Sequence, residues 1–254
     1  MRIVSYNILD GGEGRADPLA EIVMAQRPDV VALIECDNID VLNRIASRLS
    51  MDFVHAQGKK HAAAILSRWT IRDSINHSAL SKKIKNSFVE ATIVEPSGRD
   101  WVVAGLHLSP HASEKAEDER EKELKFVLKT LERHRVANVP HVICGDFNAN
   151  APSQQIDPEK CKGATRKARE SNGGKIPRRA IQAMLDAGYL DTLHAFESKL
   201  ADTTGTFSTQ LPGQRVDYIF VHGVNPTSVK SAWIEQDRLA KYASDHFPIG
   251  AEIA

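Results

Sequence analysis

Apolar and polar positions follow two rhythms along this chain. Arg2–Tyr6 reads as a strand. Pro18–Gln26 places Leu19, Ile22 and Val23 on one face, the spacing of a helix, with Asp17 standing as its N-cap. Asp29–Ile34 is an unbroken apolar run, which predicts a strand buried on both faces. Ile39–Leu49 returns to helical spacing, with Val41, Leu42, Ile45 and Leu49 in one stripe. Five strand-like runs then follow with no helix between them: Phe53–His55, Ala62–Leu66, Ile71–His77, Phe88–Val94 and Trp101–Leu108. The polar turn Pro96–Arg99 joins the last two, and the stretch predicts antiparallel hairpins. A long helix is predicted over Ser113–Arg135. Its apolar stripe is Leu124, Val127, Leu128 and Leu131, and the charge run Glu114–Lys125 reads as its solvated face.

The second part repeats the plan. His141–Cys144 predicts a buried strand and Arg179–Ala187 a helix. Arg215–His222, Ser228–Glu235 and Pro248–Ile253 predict strands. Strands and helices recur in a similar order in the two halves, without an exact repeat. Two stacked sheets with helices outside would bury every apolar face, an α/β architecture. Asp157–Arg179 breaks the pattern. It is poor in apolar residues, carries eight Lys and Arg and contains Gly173-Gly174, so it reads as a long, mobile basic loop.

Composition narrows the picture. A chain of 254 residues can bury a large core, and one domain over 1–254 is expected. Lys+Arg and Asp+Glu balance at 33 each, so only a local patch could attract a polyanion. No run approaches the roughly 20 apolar residues of a membrane helix. Arg2 leads straight into a strand rather than a leader segment. The three cysteines, Cys36, Cys144 and Cys161, fit no disulfide framework or zinc spacing, and Cys36 and Cys144 read as small buried hydrophobes. A cytoplasmic monomer without membrane insertion is expected.

Candidate chemistry gathers where apolar strands end. Tyr6-Asn7 closes the first strand and Glu35 closes Val30–Ile34. His107 lies near the end of Val102–Leu106, and Gly145-Asp146-Phe147-Asn148 follows Val142–Cys144. Asp217 lies inside the apolar run Arg215–Phe220, and Ser244-Asp245-His246 precedes the last strand. Strand ends in layered α/β proteins share a rim on which sites are built. A carboxylate inside an apolar strand needs a cation or a donor. The set offers hard oxygen ligands with few cysteines, which suits Mg²⁺ or Mn²⁺ rather than zinc.

Six motifs in order along residues 2 to 253 resemble those of the endonuclease/exonuclease/phosphatase superfamily. They are Ser5-Tyr6-Asn7-Ile8, Ile34-Glu35, Gly105-Leu106-His107-Leu108, Gly145-Asp146-Phe147-Asn148-Ala149, Arg215-Val216-Asp217-Tyr218-Ile219 and Ser244-Asp245-His246-Phe247-Pro248. The resemblance implies a four-layer α/β/β/α sandwich and divalent-metal-dependent hydrolysis of phosphate esters. It implies Glu35 as the main metal carboxylate, with Asn7 and Asp245 completing or supporting that site. Asp217 and His246 resemble the family's carboxylate–histidine pair, with His246 on a phosphoryl oxygen. Asp146 would orient and deprotonate the attacking water, Asn148 would position the water or the phosphate, and His107 would donate to a phosphate oxygen or help protonate the leaving group.

Two departures bear on the branch. Asp37 stands where abasic-site endonucleases of the family carry a lysine, and His107 where they tend to have a tyrosine-bearing motif. The pancreatic-type deoxyribonucleases pair the equivalent of His107 with a glutamate on the neighbouring hairpin, and His61–Leu66 offers none. Aromatic residues are 6% of the chain, with no exposed cluster to enter a membrane. The basic segment begins nine residues after Asn148 and would attract nucleic acid or a multiply phosphorylated small molecule. A phosphodiesterase acting on nucleic acid is the first expectation. A phosphomonoesterase or a lipid-headgroup or inositol-phosphate hydrolase is the alternative.

Overall fold

Residues 1–254 are described by a computed structural model. Its strands are β1 (Arg2–Asn7), β2 (Val30–Ile34), β3 (Asp52–Ala56), β4 (Ala63–Ser67), β5 (Thr70–Asn76), β6 (Ser87–Val94), β7 (Asp100–His107), β8 (His141–Asp146), β9 (Leu190–Asp191), β10 (Asp217–His222), β11 (Val229–Ile234) and β12 (Ile249–Ile253). Its helices are α1 (Ala16–Ala25), α2 (Ile39–Leu49), α3 (His77–Leu80), α4 (Glu114–Thr130), α5 (Glu132–Val136), α6 (Gly163–Ser171), α7 (Arg179–Asp186), α8 (Thr192–Phe196), α9 (Ser198–Thr203) and α10 (Arg238–Ala243). One six-stranded sheet runs β11-β12-β1-β2-β4-β3 and the other β5-β6-β7-β8-β10-β9. The pairs β1/β2 and β7/β8 are parallel and the rest antiparallel, so both sheets are mixed.

The unbroken apolar runs are explained by two cores. Val30, Ala32 and Ile34 point between the sheets, while Val31 and Leu33 point outward under α1 and α2. In β8, Val142 and Cys144 enter the inter-sheet core and Ile143 the core beneath α4 and α7. A strand covered on both faces needs apolar residues at every position. The result is the expected four-layer α/β/β/α sandwich.

Several sequence expectations change, the first being the helix-free run of five strands, which α3 interrupts between β5 and β6 after Asn76 caps it. Arg15, not Asp17, precedes α1; Asp17 instead accepts from Arg44 and Arg48 of α2 at 2.6–3.0 Å. The long helix breaks after Thr130 and resumes at Glu132. Its charge run is not wholly solvated, because Glu117, Arg120 and Glu123 are buried. Arg120 donates to Glu117 and to the carbonyls of Ser109 and His111, while Glu123 accepts from the backbone N–H groups of Lys85 and Ser109. These charges fold the loop after His107 rather than face water.

The segment 157–179 also departs from expectation. It holds a short 3₁₀ turn capped by Asp157, then α6, and it buries Cys161 and Thr165. Arg178 donates to the carbonyls of Ala151, Pro152 and Gln154, and Arg179 reaches Glu114, Asp118 and Glu121 of α4. Several of its cations therefore anchor structure. Apolar-poor composition concealed a helix held mainly by polar contacts.

Candidate active site

Strand register brings the site together. On one sheet, His107 of β7 is opposite Asp146 of β8, and Asp146 is opposite Asp217 of β10. On the other sheet, Asn7 ends β1 opposite Ile34, and Glu35 follows at once. The five side chains stand on one rim of the sandwich. Asp217 is the first residue of β10, so it ends the apolar run at the rim instead of lying within it. Gly145 is required for this register: its φ is 138°, and a Cβ there would come within 2.0 Å of the Leu106 carbonyl oxygen. Glu35 and Asn148 both take left-handed backbone, at φ 60° and 49°, turning their side chains out of the strand direction. Such conformations persist where surrounding contacts impose them. Here Glu35 accepts from Asn7 Nδ2 at 3.0 Å and from the Asp10 backbone N–H at 3.0 Å.

Two groups of ionisable side chains share Asp146. In the first, His107 Nε2 lies 3.6 Å from Asp146 Oδ2 and 3.9 Å from Glu35 Oε1. Asn7 Nδ2 bridges the two carboxylates, at 3.0 Å from Glu35 and 3.1 Å from Asp146. In the second, Asp217 Oδ2 accepts from His246 Nδ1 at 2.9 Å, and His246 Nε2 lies 3.7 Å from Asp146. Asp146 and Asp217 face each other across the strands, an arrangement that repels unless a cation intervenes. The His246 imidazolium is that cation.

Burial disfavours a charge on His246, but Asp217 and Asp146 outweigh it and raise the imidazole well above its ordinary range. Burial also raises Asp146; His246 opposes the rise, and Asp217 and Glu35 add to it. The result is a carboxylate with an unusual appetite for a proton. His107 goes the other way: burial, then His61 and His246, lower it to about 3, so its ring is neutral. Its Nδ1 is buried without a partner. One histidine is thus held charged and the other uncharged within a single cluster.

Asn148 closes the turn after β8. Its backbone N–H donates to Asp146 Oδ1 at 2.8 Å and its side chain to the Leu108 carbonyl at 3.1 Å. Asp245 pairs with Lys162 at 2.9 Å, and its other oxygen lies 3.9 Å from His246. Lys162 also sits 4.3 Å from the centre of the Phe207 ring, which packs on His246 with ring centres 4.7 Å apart. The basic segment therefore does reach the rim, through one lysine.

Sequence reasoning missed a second histidine–carboxylate pair. Asp37 accepts from His61 Nδ1 at 2.8 Å, and the His61 ring lies 5.5 Å from that of His107. Its signal lies in the stretch His61–Leu66, which offers no glutamate beside His107 but does offer a histidine with its own carboxylate. Ligand atoms of Asp10, Glu35 and His61, of Glu35, His107 and Asp146, and of Asp146, Asp217 and His246 each lie within 4.8 Å of one another, so these groups are able to hold a metal ion. The oxygen-rich donor set, with two carboxylates drawn onto one amide, fits a hard divalent cation.

No curated protein matches the chain in sequence. Among solved structures, it is similar to the 3′ phosphatase NExo from Neisseria bound to a product DNA hairpin (TM-score 0.75, 21% identity, covering 100% of this chain and 99% of that one). It is also similar to an AP endonuclease from Archaeoglobus fulgidus (TM-score 0.74, 20% identity, 100% and 99%). A third is TDP2 from D. rerio complexed with a single-strand DNA product (TM-score 0.69, 20% identity, 100% and 98%). At these identities the likeness shows a shared fold. The sequence profile of the endonuclease/exonuclease/phosphatase family matches residues 4–246. The chain belongs to that family and is a hydrolase of phosphate esters.

Proposed function

We propose that this protein is a Mg²⁺- or Mn²⁺-dependent phosphodiesterase acting on nucleic acid. The observation that carries the reading is the convergence of Glu35, His107, Asp146 and the Asp217–His246 pair on one rim. Glu35 and Asn7 would hold the metal, with Asp245 supporting the site from the Lys162 side. A bound divalent ion would neutralise charge on the phosphate. Asp146, its proton affinity raised by burial, takes a proton from water as the water oxygen attacks phosphorus, and Asn148 keeps Asp146 aimed. His246, held charged by Asp217, donates to a phosphoryl oxygen where negative charge builds. The neutral ring of His107 offers an N–H to a phosphate or leaving oxygen. The P–O ester bond breaks, and the departing oxygen takes its proton from the site or from water.

Nucleic acid is favoured because the similar solved folds include proteins bound to DNA products. The 3′ phosphatase among them keeps a second reading in play, removal of a terminal phosphate. Asp37 holds His61 where the abasic-site enzymes carry a lysine, which speaks against an abasic role. The test is hydrolysis of single- and double-stranded DNA, RNA, 3′-phosphorylated DNA, a chromogenic diester, inositol phosphates and sphingomyelin, each with Mg²⁺, Mn²⁺ or EDTA. Metal-dependent cleavage of an internal or terminal nucleotide linkage is expected. Turnover confined to inositol phosphates or lipid would overturn the nucleic-acid reading.

A further inference from the structure

A second cationic feature lies outside the basic segment. Lys82, Lys83 and Lys85, on the chain between α3 and β6, face Lys122, Lys125 and Lys129 of α4 across a groove of about 560 Å³. Glu119 is its one acid, and Phe126 is its apolar floor. Phe126 is fixed edge-on against Phe88, with ring centres 6.4 Å apart. Glu119 pairs with Lys85 at 2.7 Å and Lys122 at 3.3 Å. Lys82, Lys83, Lys125 and Lys129 have no carboxylate partner. Four unpaired like charges around a concavity repel one another, and a polyanion relieves that repulsion.

We infer that this groove binds the phosphodiester backbone of a nucleic acid strand whose reacting linkage lies at the rim. The inference rests on the nucleic-acid reading above and adds the path of the substrate. Three contacts join groove to rim. Glu123 accepts from the backbone N–H groups of both Lys85 and Ser109, two residues beyond His107. Asn86 donates to the Leu108 carbonyl, which also receives Asn148. Ser87, two residues after Lys85, is the cross-strand partner of His107. The groove therefore starts beside the site and follows α4 away from it.

Its dimensions fit. Lys122, Lys125 and Lys129 share one face of α4 and span about 10 Å at 1.5 Å per residue. A strand of duplex advances about 3.4 Å per phosphate, so that span matches about three phosphates. Lysine acts as a point charge without base readout, so the track is indifferent to sequence. A concave track whose walls are tied to the rim favours a strand over a flat anionic membrane.

Binding of a labelled 20-nucleotide single strand and a 20-base-pair duplex to the full-length protein in EDTA tests this, between about 50 and 200 mM salt. Changing Lys82, Lys83, Lys125 and Lys129 to Gln should raise Kd at least about tenfold. It should also make the log–log salt slope shallower by up to about 3, at roughly 0.7–0.9 for each phosphate no longer neutralised. Glu119→Gln frees two lysines and should tighten binding several-fold, a gain that damage to the fold would not produce. Turnover of a small chromogenic diester should stay at the wild-type level in both variants. A wild-type salt slope in the quadruple variant overturns the inference. So does loss of binding to phosphatidylserine vesicles with nucleic-acid binding intact, which would assign the groove to membranes. If the wild-type protein binds strands through these lysines yet cleaves no nucleic acid, the groove stands and the proposed function falls. If it cleaves nucleic acid with the quadruple variant at wild-type KM, the reverse holds.

Discussion

A buried histidine lies at each end of the β8/β10 pair, His246 against Asp146 and Asp217 at the rim and His141 at the far end, and these two are tuned in opposite directions. At the rim, Asp146 faces Asp217 and His246 sits between them. At the far end, His141 faces His222 across the same pair of strands. There the His141 ring stacks on His222 with centres 5.2 Å apart, with Nδ1 against the Val139 carbonyl and Nε2 against the Tyr189 hydroxyl, both at 2.7 Å. No carboxylate touches it. Burial lowers His141 to about 4, with the Val139 hydrogen bond opposing and His222 and His134 adding. Both His141 and His246 are buried, yet one is held neutral and the other charged. Burial sets the cost of a charge, and the facing groups decide whether it is met. A neutral, fully bonded histidine supports packing. A charged one between two carboxylates is ready for an anion.

The largest expected effect should separate the two ends outright. Asp146→Asn should lower kcat about 1000-fold or more, and Glu35→Gln at least about 100-fold, the range for losing a key electrostatic group. Neither should unfold the protein, since each removes a crowded charge. His141→Gln should leave kcat on a chromogenic diester within about threefold. Comparable activity losses at both ends would break the comparison, and the assignment of chemistry to the rim with it.

A second effect concerns whether the rim acts as a unit. If Asp217 serves by holding His246 charged, removing either disables the same device. The Asp217→Ala/His246→Ala double variant should then lose little more kcat than the worse single variant. Multiplicative losses would mean that the two work separately.

The sequence disclosed one end far better than the other. The rim residues end apolar strands, so Asn7, Glu35, His107, Asp146 and Asp217 interrupt a simple pattern and can be read one at a time. Gly145 is visible in the sequence only as part of a motif; that the β7/β8 approach admits no side chain there emerges from the strand pairing. The pairs His61–Asp37 and Lys162–Asp245 join residues 24 and 83 positions apart through loops, and no local pattern links them. Buried Glu117, Arg120 and Glu123 stand in a charge run that looks the same whether its partners are water or the loop after His107. The distal histidines were unreadable for a related reason. His141 opens a strand like any polar flank, and only its cross-strand neighbour reveals that it is stacked and enclosed.

The distal end should show itself in stability rather than activity. The folded protein holds His141 near 4 against an ordinary value of 6.5, so between these values the unfolded chain binds the extra proton. Its contribution is complete above about pH 6.5 and is lost as pH falls toward about 4, at a cost of about 3 kcal/mol. Denaturant unfolding from pH 7.5 to 4 should show this acid-side loss, and His141→Gln should reduce it. An equal acid-side loss in the variant would assign that loss to other groups.

The smallest effect asks what keeps His141 neutral. The Tyr189 hydroxyl is its Nε2 partner, and Tyr189→Phe removes that partner while keeping the ring. Leaving one buried nitrogen unpaired should cost about 1–2 kcal/mol at pH 7. The pH dependence should nevertheless keep its shape. Neutral Nε2 would lack a donor and protonated Nε2 would lack an acceptor, so both forms lose a similar amount. The variant's stability curve should lie below the wild-type curve and parallel to it, with kcat unchanged. A flattened acid limb would show that the hydroxyl, more than burial, sets the protonation of His141. The contrast between the two ends would then rest on hydrogen-bond partners at both, rather than on burial at one and carboxylates at the other.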